Sequence, residues 1–283
     1  MATAQSYNED QQKFWNGPDG EFWTNQQELM DRTMSNLMAP LLEFAAPEPG
    51  STVIDVGCGC GATTLELARA VGPAGQVLGI DISRPMLDRA RQRLQGYENA
   101  TCRLADAATV ELGDVQADLL FSRFGVMFFG DPAAAFTNLR RGLKPDGRVC
   151  FACWRMLQDN PWMTVPYQAV LKHVPKPEPP DPQAPGPLAF ASPERVTDIL
   201  QTSGFTDLAF HPLDFDMLPG GGGSLDEAAA QLVTIGPAGR ALKEQPEDVK
   251  EAARVSVREA LKAYQTAAGL RLRGGVWLVS GKV

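Results

Sequence analysis

The stretch that most constrains this chain is VIDVGCGCGATT at residues 53–64, an apolar run that ends in alternating glycines. Val and Ile at its start favour a strand. The glycines at 57, 59 and 61 give the backbone turns closed to other residues, and the Ala-Thr-Thr that follows opens a helix. A strand that feeds a helix through such a loop begins a βαβ unit. It brings main chain close to a ligand, with the first N–H groups and the positive dipole end of the helix facing it. A Cβ at Gly57 or Gly59 is expected to collide with that ligand.

The following residues repeat the theme. The runs TVIDVG, QVLGID, TCRLAD, ADLLFSRF and GRVCFACW alternate between residues 52 and 154 with helix-like pieces at about 61–71, 84–96 and 132–142. The third piece has Asp131 as N-cap, Pro132 in its first turn and Gly142 past its end. This alternation predicts an α/β fold with a doubly wound, mostly parallel sheet. Two later strand candidates, FTDLAFHPLDFDM and the closing GGVWLVSGKV at 274–283, raise the expected strand number to seven and can pair antiparallel.

Around this core (50–154, completed by 191–218 and 272–283) lie three other expected parts. Residues 1–49 read as an aromatic-rich helical lid that NGPDG breaks into two pieces. Leu29, Leu37, Leu41 and Phe44 recur at roughly helical spacing in the second piece. Residues 155–190, with HVPKPEPPDPQAPGP, hold too many prolines for a regular central strand and read as a cap insert. A helix at 192–205 is capped by Ser192 and ended by Gly204, and PGGGGS then forms a joint. A second, helical cap spans 219–271, where SLDE at 224–227 matches a capping box and helices are expected at about 225–235 and 245–267.

Composition narrows the partners. Lys and Arg number 26 against 34 Asp and Glu, a net charge of −8, with no basic surface in view, so nucleic acid is not expected. No run approaches the ~18 apolar residues that a membrane helix needs, and the polar N-terminus shows no secretion signal. Five cysteines without a disulfide spacing suit a reducing, cytoplasmic setting. Metal is not expected. The two histidines, His173 and His211, lie far apart, and Cys150 and Cys153 sit i and i+3 on a strand, pointing to opposite faces. Nothing in the chain sets a subunit number.

The glycine loop alone leaves its ligand open. It fits G-x-G-x-G, and because Ala62 follows it also fits the dinucleotide pattern G-x-G-x-x-(G/A). Asp81, at the end of the next strand, can accept ribose hydroxyls in either reading. Asp55, two residues before Gly57, suits a cationic ligand and repels a pyrophosphate. Asp106, ending the third strand in LADA, is placed to accept from an adenine amino group. LKPDGRV leads into the fifth strand, and the two C-terminal strands follow.

Together VIDVGCGCGATTLELA, VLGIDISRPML, LADAAT, LLFSRFGVMFF and LRRGLKPDGRV resemble the class I S-adenosylmethionine (SAM)-dependent methyltransferases. They resemble most the methyltransferase type 11 group, which includes the ubiquinone/menaquinone-biosynthesis type. The resemblance implies a Rossmann-like sheet and transfer of a methyl group from SAM to a small molecule, leaving S-adenosylhomocysteine. It further implies that Asp55 and the main chain of Gly57, Cys58, Gly59 and Gly61 hold the methionine part. Asp81 would grip the ribose, Ile82 and Met86 would lie against the adenine, and Asp106 and Ala107 would meet its edge. Ser122, Arg123 and Phe124 would line the methyl-transfer side, Ser122 toward the cofactor and the other two toward the acceptor.

Trp23, with Trp15 and Phe22, is a candidate to close over the sulfonium by a cation–π contact. Arg155, Asn160 and Trp162, just past the fifth strand, are candidate acceptor contacts because ligands of open α/β sheets sit beyond the strand ends. His173 is the one candidate base. An NAD-type oxidoreductase and a non-catalytic SAM-binding protein remain as alternatives.

Overall fold

Val53, Ile54 and Val56 are buried, and so are Leu119, Leu120 and Phe121. Strands apolar on both faces belong in the middle of a parallel sheet covered by helices on each side. The computed structural model, described over residues 4–178, 181 and 184–283, places them there. Its sheet has seven strands in the order β3-β2-β1-β4-β5-β9-β6. They are β1 (Thr52–Val56), β2 (Gln76–Asp81), β3 (Ala100–Leu104), β4 (Ala117–Arg123), β5 (Leu143–Trp154), β6 (Thr206–Met217) and β9 (Leu272–Lys282).

β1 pairs in parallel with β2 and β4, setting Asp55 beside Gly79 on one side and Phe121 on the other. β9 runs antiparallel between β5 and β6, as the C-terminal sequence predicts. The chain reverses direction beside β1, where β1 lies between β2 and β4. That is the crevice where such sheets receive ligands.

The helices α5 (Ala62–Val71), α6 (Arg84–Arg93), α7 (Pro132–Arg140) and α9 (Pro193–Thr202) flank the sheet. Their caps follow the sequence. Asp131 accepts from Ala134 N at 3.0 Å, and Ser192 accepts from Arg195 N at 3.3 Å. Further along, Ser224 and Glu227 satisfy each other's main-chain N–H at 3.2 and 2.7 Å, the expected capping box.

Three regions differ from expectation. The second lid piece is not one helix. After α1 (Ala4–Asn16) the chain forms α2 (Pro18–Asn25), α3 (Gln27–Thr33) and α4 (Ser35–Ala45), turning at Gln26 and Met34. The insert after β5 is partly helical. Pro161 opens α8 (Pro161–Val170), where its missing N–H costs nothing, and Pro166 is tolerated inside. The Pro-rich positions 179–180 and 182–183 lie outside the described residues. The segment after PGGGGS forms α10 (Leu225–Leu232), α11 (Gly236–Leu242) and α12 (Glu247–Leu261). The last of these ends early, giving way to a short pair β7 (Gln265–Thr266) and β8 (Gly269–Leu270).

Polar contacts join the N-terminal helices to the sheet and to the segment after Pro219. Asn16 Nδ2 donates to Ile82 O at 2.9 Å, and its Oδ1 accepts from Arg84 N at 2.9 Å. Ser83 Oγ donates to Trp15 O at 2.6 Å. Gln231 of α10 donates to Thr33 Oγ1 at 2.9 Å and accepts from Gly220 N at 2.8 Å. The N-terminal helices are thereby fixed over the end of β2.

Candidate functional site

The glycine loop takes its shape from the chain itself. Gly57, Gly59 and Gly61 have φ of 68, 53 and 79°, in the left-handed region. A Cβ at Gly57 would stand 2.6 Å from Gly125 Cα, and one at Gly61 3.0 Å from Ala90 Cβ. At Gly59 it would meet only the flexible Met86 Cε at 3.2 Å. At 57 and 61, then, neighbouring chain segments by themselves exclude larger residues. Gly61→Ala is expected to lower stability by about 1–2 kcal/mol, the cost of a left-handed non-glycine residue, read as a fall in urea midpoint. Gly57 N and Cys58 N donate to Ile80 O at 2.8 and 3.1 Å, and Gly59 N donates to Asp81 Oδ2 at 2.7 Å.

The two loop thiols are packing groups. Cys58 Sγ lies over Gly79, 2.9 Å from where a Cβ would be, with the Cys102 thiol beside it. That contact and burial push its thiol up, so only the main chain of Cys58 remains on the loop. Burial pushes the Cys60 thiol up to about 11. Among the described residues no group of three or more His, Cys, Asp or Glu is assembled for a metal. Likewise no helix among them is long and apolar enough to cross a membrane.

Three carboxylates stand at or near successive strand tips. Asp55 is fully buried. Its Oδ2 accepts from the hydroxyls of Thr63 and Thr64 at 2.6 and 2.7 Å, while Oδ1 has no partner. Burial pushes its carboxyl up to about 6, opposed by the two hydroxyls and by the charge of Arg123. Asp81 accepts from Gly59 N and, through Oδ1, from Ser83 N at 2.8 Å. Burial raises its pKa against these backbone donors.

Asp106 lies two residues beyond the end of β3 rather than on it. It accepts from Ala108 N at 2.8 Å and from Asn8 Nδ2 at 2.9 Å, and Asn8 Oδ1 accepts from Gly130 N at 3.2 Å. Asn8 is a site residue that sequence reasoning missed. It is one polar residue in a polar helix and carries no pattern that announces its partner. Ala107 is buried beside Asp106, its carbonyl 3.4 Å from Asn138 Nδ2. The Ile82 carbonyl is taken by Asn16, and Met86 sits against Gly59.

The β4 and β5 tips supply an aromatic wall. Phe124, at φ 70°, stacks on Trp154 with ring centroids 4.3 Å apart and planes 8° from parallel. Trp154 also meets Trp162 of α8 at 4.9 Å and Phe215 of β6 at 6.1 Å. From the lid, Trp15 reaches Phe128 edge-on at 5.5 Å, and Trp23 stands behind it at 6.3 Å. The lid aromatic that meets the β4 loop is thus Trp15 rather than Trp23.

Several polar candidates are already committed within the chain. The buried Ser122 Oγ donates to Val56 O at 2.7 Å and accepts from Gly125 N at 3.1 Å, locking the β4 tip to β1. The fully buried Asn160 donates to the carbonyls of Arg155 and Gly275, both at 3.2 Å, and accepts from Trp162 Nε1 and Gly275 N at 3.1 and 2.9 Å. Arg155 pairs with Asp159 and Asp214 at 3.0 and 2.9 Å and lies over Trp277. Both fasten the loop after β5 to β9. His173 is exposed at the end of α8 and shares a 2.7 Å hydrogen bond with Ser256 of α12. The imidazole of this candidate base thus faces another helix of the cap segment. A separate hollow of about 470 Å³ beside α9, lined by Met156, Leu188, Arg195 and Ile199, includes none of the strand-tip carboxylates.

Comparison with known proteins bears on the family and the fold. A family model described as a methyltransferase domain matches residues 47–204. Nocamycin O-methyltransferase of Saccharothrix syringae is 36% identical over 111 residues, 38% of this chain and 40% of that protein. Demethylmenaquinone methyltransferase of Staphylococcus aureus is 36% identical over 100 residues, 35% of this chain and 42% of that one. The matched segment thus spans less than half the length of these curated relatives. Among solved structures, a phosphoethanolamine N-methyltransferase of Haemonchus contortus aligns over 100% of this chain and 60% of its own, with TM-score 0.58 and 16% identity. The cyclase SpnF aligns over 87% and 79%, with TM-score 0.51 and 21% identity. At such identities the likeness is one of fold.

Proposed function

The chain belongs to the methyltransferase-domain family, and we propose that it transfers a methyl group from SAM to a small, largely apolar organic acceptor. The observation that carries this reading is the unpartnered, fully buried Oδ1 of Asp55 beside the glycine loop. A buried acceptor without a donor is costly. The ammonium of an amino acid would satisfy it, whereas a pyrophosphate would face a carboxylate. Asp81 and Asp106 extend the same preference, offering acceptors to ribose hydroxyls and to an adenine amino group. The residues present therefore fit the cofactor.

Bound SAM would supply a methyl group already activated on a sulfonium. The chain's own part is to align and dehydrate. The glycine loop and Asp81 fix the nucleoside, Asn8 and Trp15 bring the lid over it, and Phe124, Trp154 and Trp162 form an apolar wall beyond the β4 and β5 tips. That wall carries no titratable side chain, which suits an acceptor nucleophilic at neutral pH without a protein base. Calorimetric titration with SAM and with NAD tests the cofactor: binding of SAM alone is expected. Release of S-adenosylhomocysteine across a panel of small apolar phenols, amines and thiols tests the reaction. No release with any of them would leave a binding protein in place of an enzyme.

A further inference from the structure

Arg123 ends β4 two residues after Phe121 and so rises from the same face of the sheet. Phe121 is in register with Asp55 on β1, which places Asp55 and Arg123 on that one face. Arg123 is only partly exposed, yet among the described residues its side chain makes no hydrogen bond and no ion pair. Its neighbours contrast with it. Arg93 is saturated by Cys60 O and Asp31 at 2.8 Å each, and Asp31 also accepts from Gln27 at 2.5 Å. Burial, with the charge of Arg93, holds the Arg123 guanidinium below its ordinary value, and the negative charges of Asp31 and Asp55 only partly offset this. Beside it, Asp55 Oδ1 also lacks a partner.

One guanidinium and one carboxylate oxygen are thus left open on one face of the sheet, close enough for each charge to act on the other but not joined as an ion pair. A desolvated charge without a partner is costly and calls for a ligand. The ligand that completes both must carry an anion for Arg123 and a cation for Asp55, close together. An α-amino acid head group does so. We propose that Arg123 binds the α-carboxylate of the amino-acid tail of SAM while Asp55 receives its ammonium. The proposal rests on the function given above and moves Arg123 from the acceptor side, where the sequence places it, to the cofactor. A planar guanidinium suits this task because it can meet a carboxylate through two parallel N–H donors.

The test compares two ligands by calorimetry: S-adenosylhomocysteine, which has the tail, and 5′-methylthioadenosine, which lacks it. Arg123→Met is expected to weaken S-adenosylhomocysteine 10- to 100-fold and to leave methylthioadenosine within twofold, with Arg123→Lys recovering part of the loss. Equal losses for both ligands, or no loss for either, would overturn the proposal. If Arg123→Met does not fold, the wild-type protein decides. S-adenosylhomocysteine without its carboxylate should bind at least tenfold more weakly than the parent, and equal affinity overturns the assignment. A wild-type protein that binds neither nucleoside would instead reject the SAM reading itself.

Discussion

Asp81→Ala is expected to weaken SAM binding by at least a hundredfold while lowering the melting temperature by only several degrees. Two losses combine. The carboxylate is placed to accept two ribose hydroxyls, and charge-assisted hydrogen bonds contribute about 1.5–3 kcal/mol each, with each 1.4 kcal/mol worth about tenfold. The same carboxylate holds Gly59 N at 2.7 Å and Ser83 N at 2.8 Å, so it also fixes the glycine loop and the start of α6. Without it Gly59 N–H loses its acceptor, and the loop must be ordered at the moment of binding. Asp81→Asn separates the contributions. One amide oxygen can still accept from the loop or from the ribose, so a loss nearer tenfold is expected. Calorimetry at pH 7.5 reads both variants, and an unchanged affinity for Asp81→Ala would remove Asp81 from the cofactor site.

The parts of this site legible in the sequence are those whose geometry is local. Asp55 and Asp81 end consecutive strands, and a strand followed by a glycine loop fixes where its last residues point. Asp106 was placed to within two residues for the same reason. The caps at Asp131, Ser192 and Ser224 lie within three residues of the groups they satisfy. The side-chain partnerships that were missed are non-local. Asn8 meets Asp106 across 98 positions, and no period or composition marks such a pair. Asn160 looks like a loop residue open to a ligand, but Gly275 and Trp162 consume its amide. Arg155 is likewise consumed by Asp214 on an edge strand that the sequence leaves unplaced relative to it. Proline density hid α8, because a proline in a first turn and a proline that breaks a helix look alike until the turn before them is known. Arg123 differs in kind. Its isolation is visible only when every neighbouring donor and acceptor has been paired off.

Asp55→Asn is expected to reverse sign between stability and binding, which makes it the sharpest test of why a carboxyl is buried here. In the folded chain this carboxyl holds its proton up to about pH 6, against 3.8 for an ordinary aspartate, a rise of roughly two units. At about 1.36 kcal/mol per unit this corresponds to about 3 kcal/mol. Well below pH 4 the group is protonated in both states and contributes nothing. Between pH 4 and pH 6 the folded state binds more protons than the unfolded one, so stability falls as pH rises. Above pH 6 the whole cost persists. Asparagine cannot titrate, so the stability of Asp55→Asn relative to wild type should grow by about 3 kcal/mol from pH 3 to pH 7, read by urea denaturation. The same slope in both proteins would show that Asp55 is not the group responsible. Binding should move the other way. Wild-type affinity for SAM is expected to fall by up to about tenfold per pH unit below 6, as a proton occupies the site of the ligand ammonium. The variant should lack that dependence and bind more weakly throughout. The Thr63 and Thr64 hydroxyls, 2.6 and 2.7 Å from Oδ2, offset part of the burial cost but leave Oδ1 open. A carboxylate kept charged at neutral pH against that cost, with one oxygen unpaired, is accounted for by a cation that arrives with the ligand.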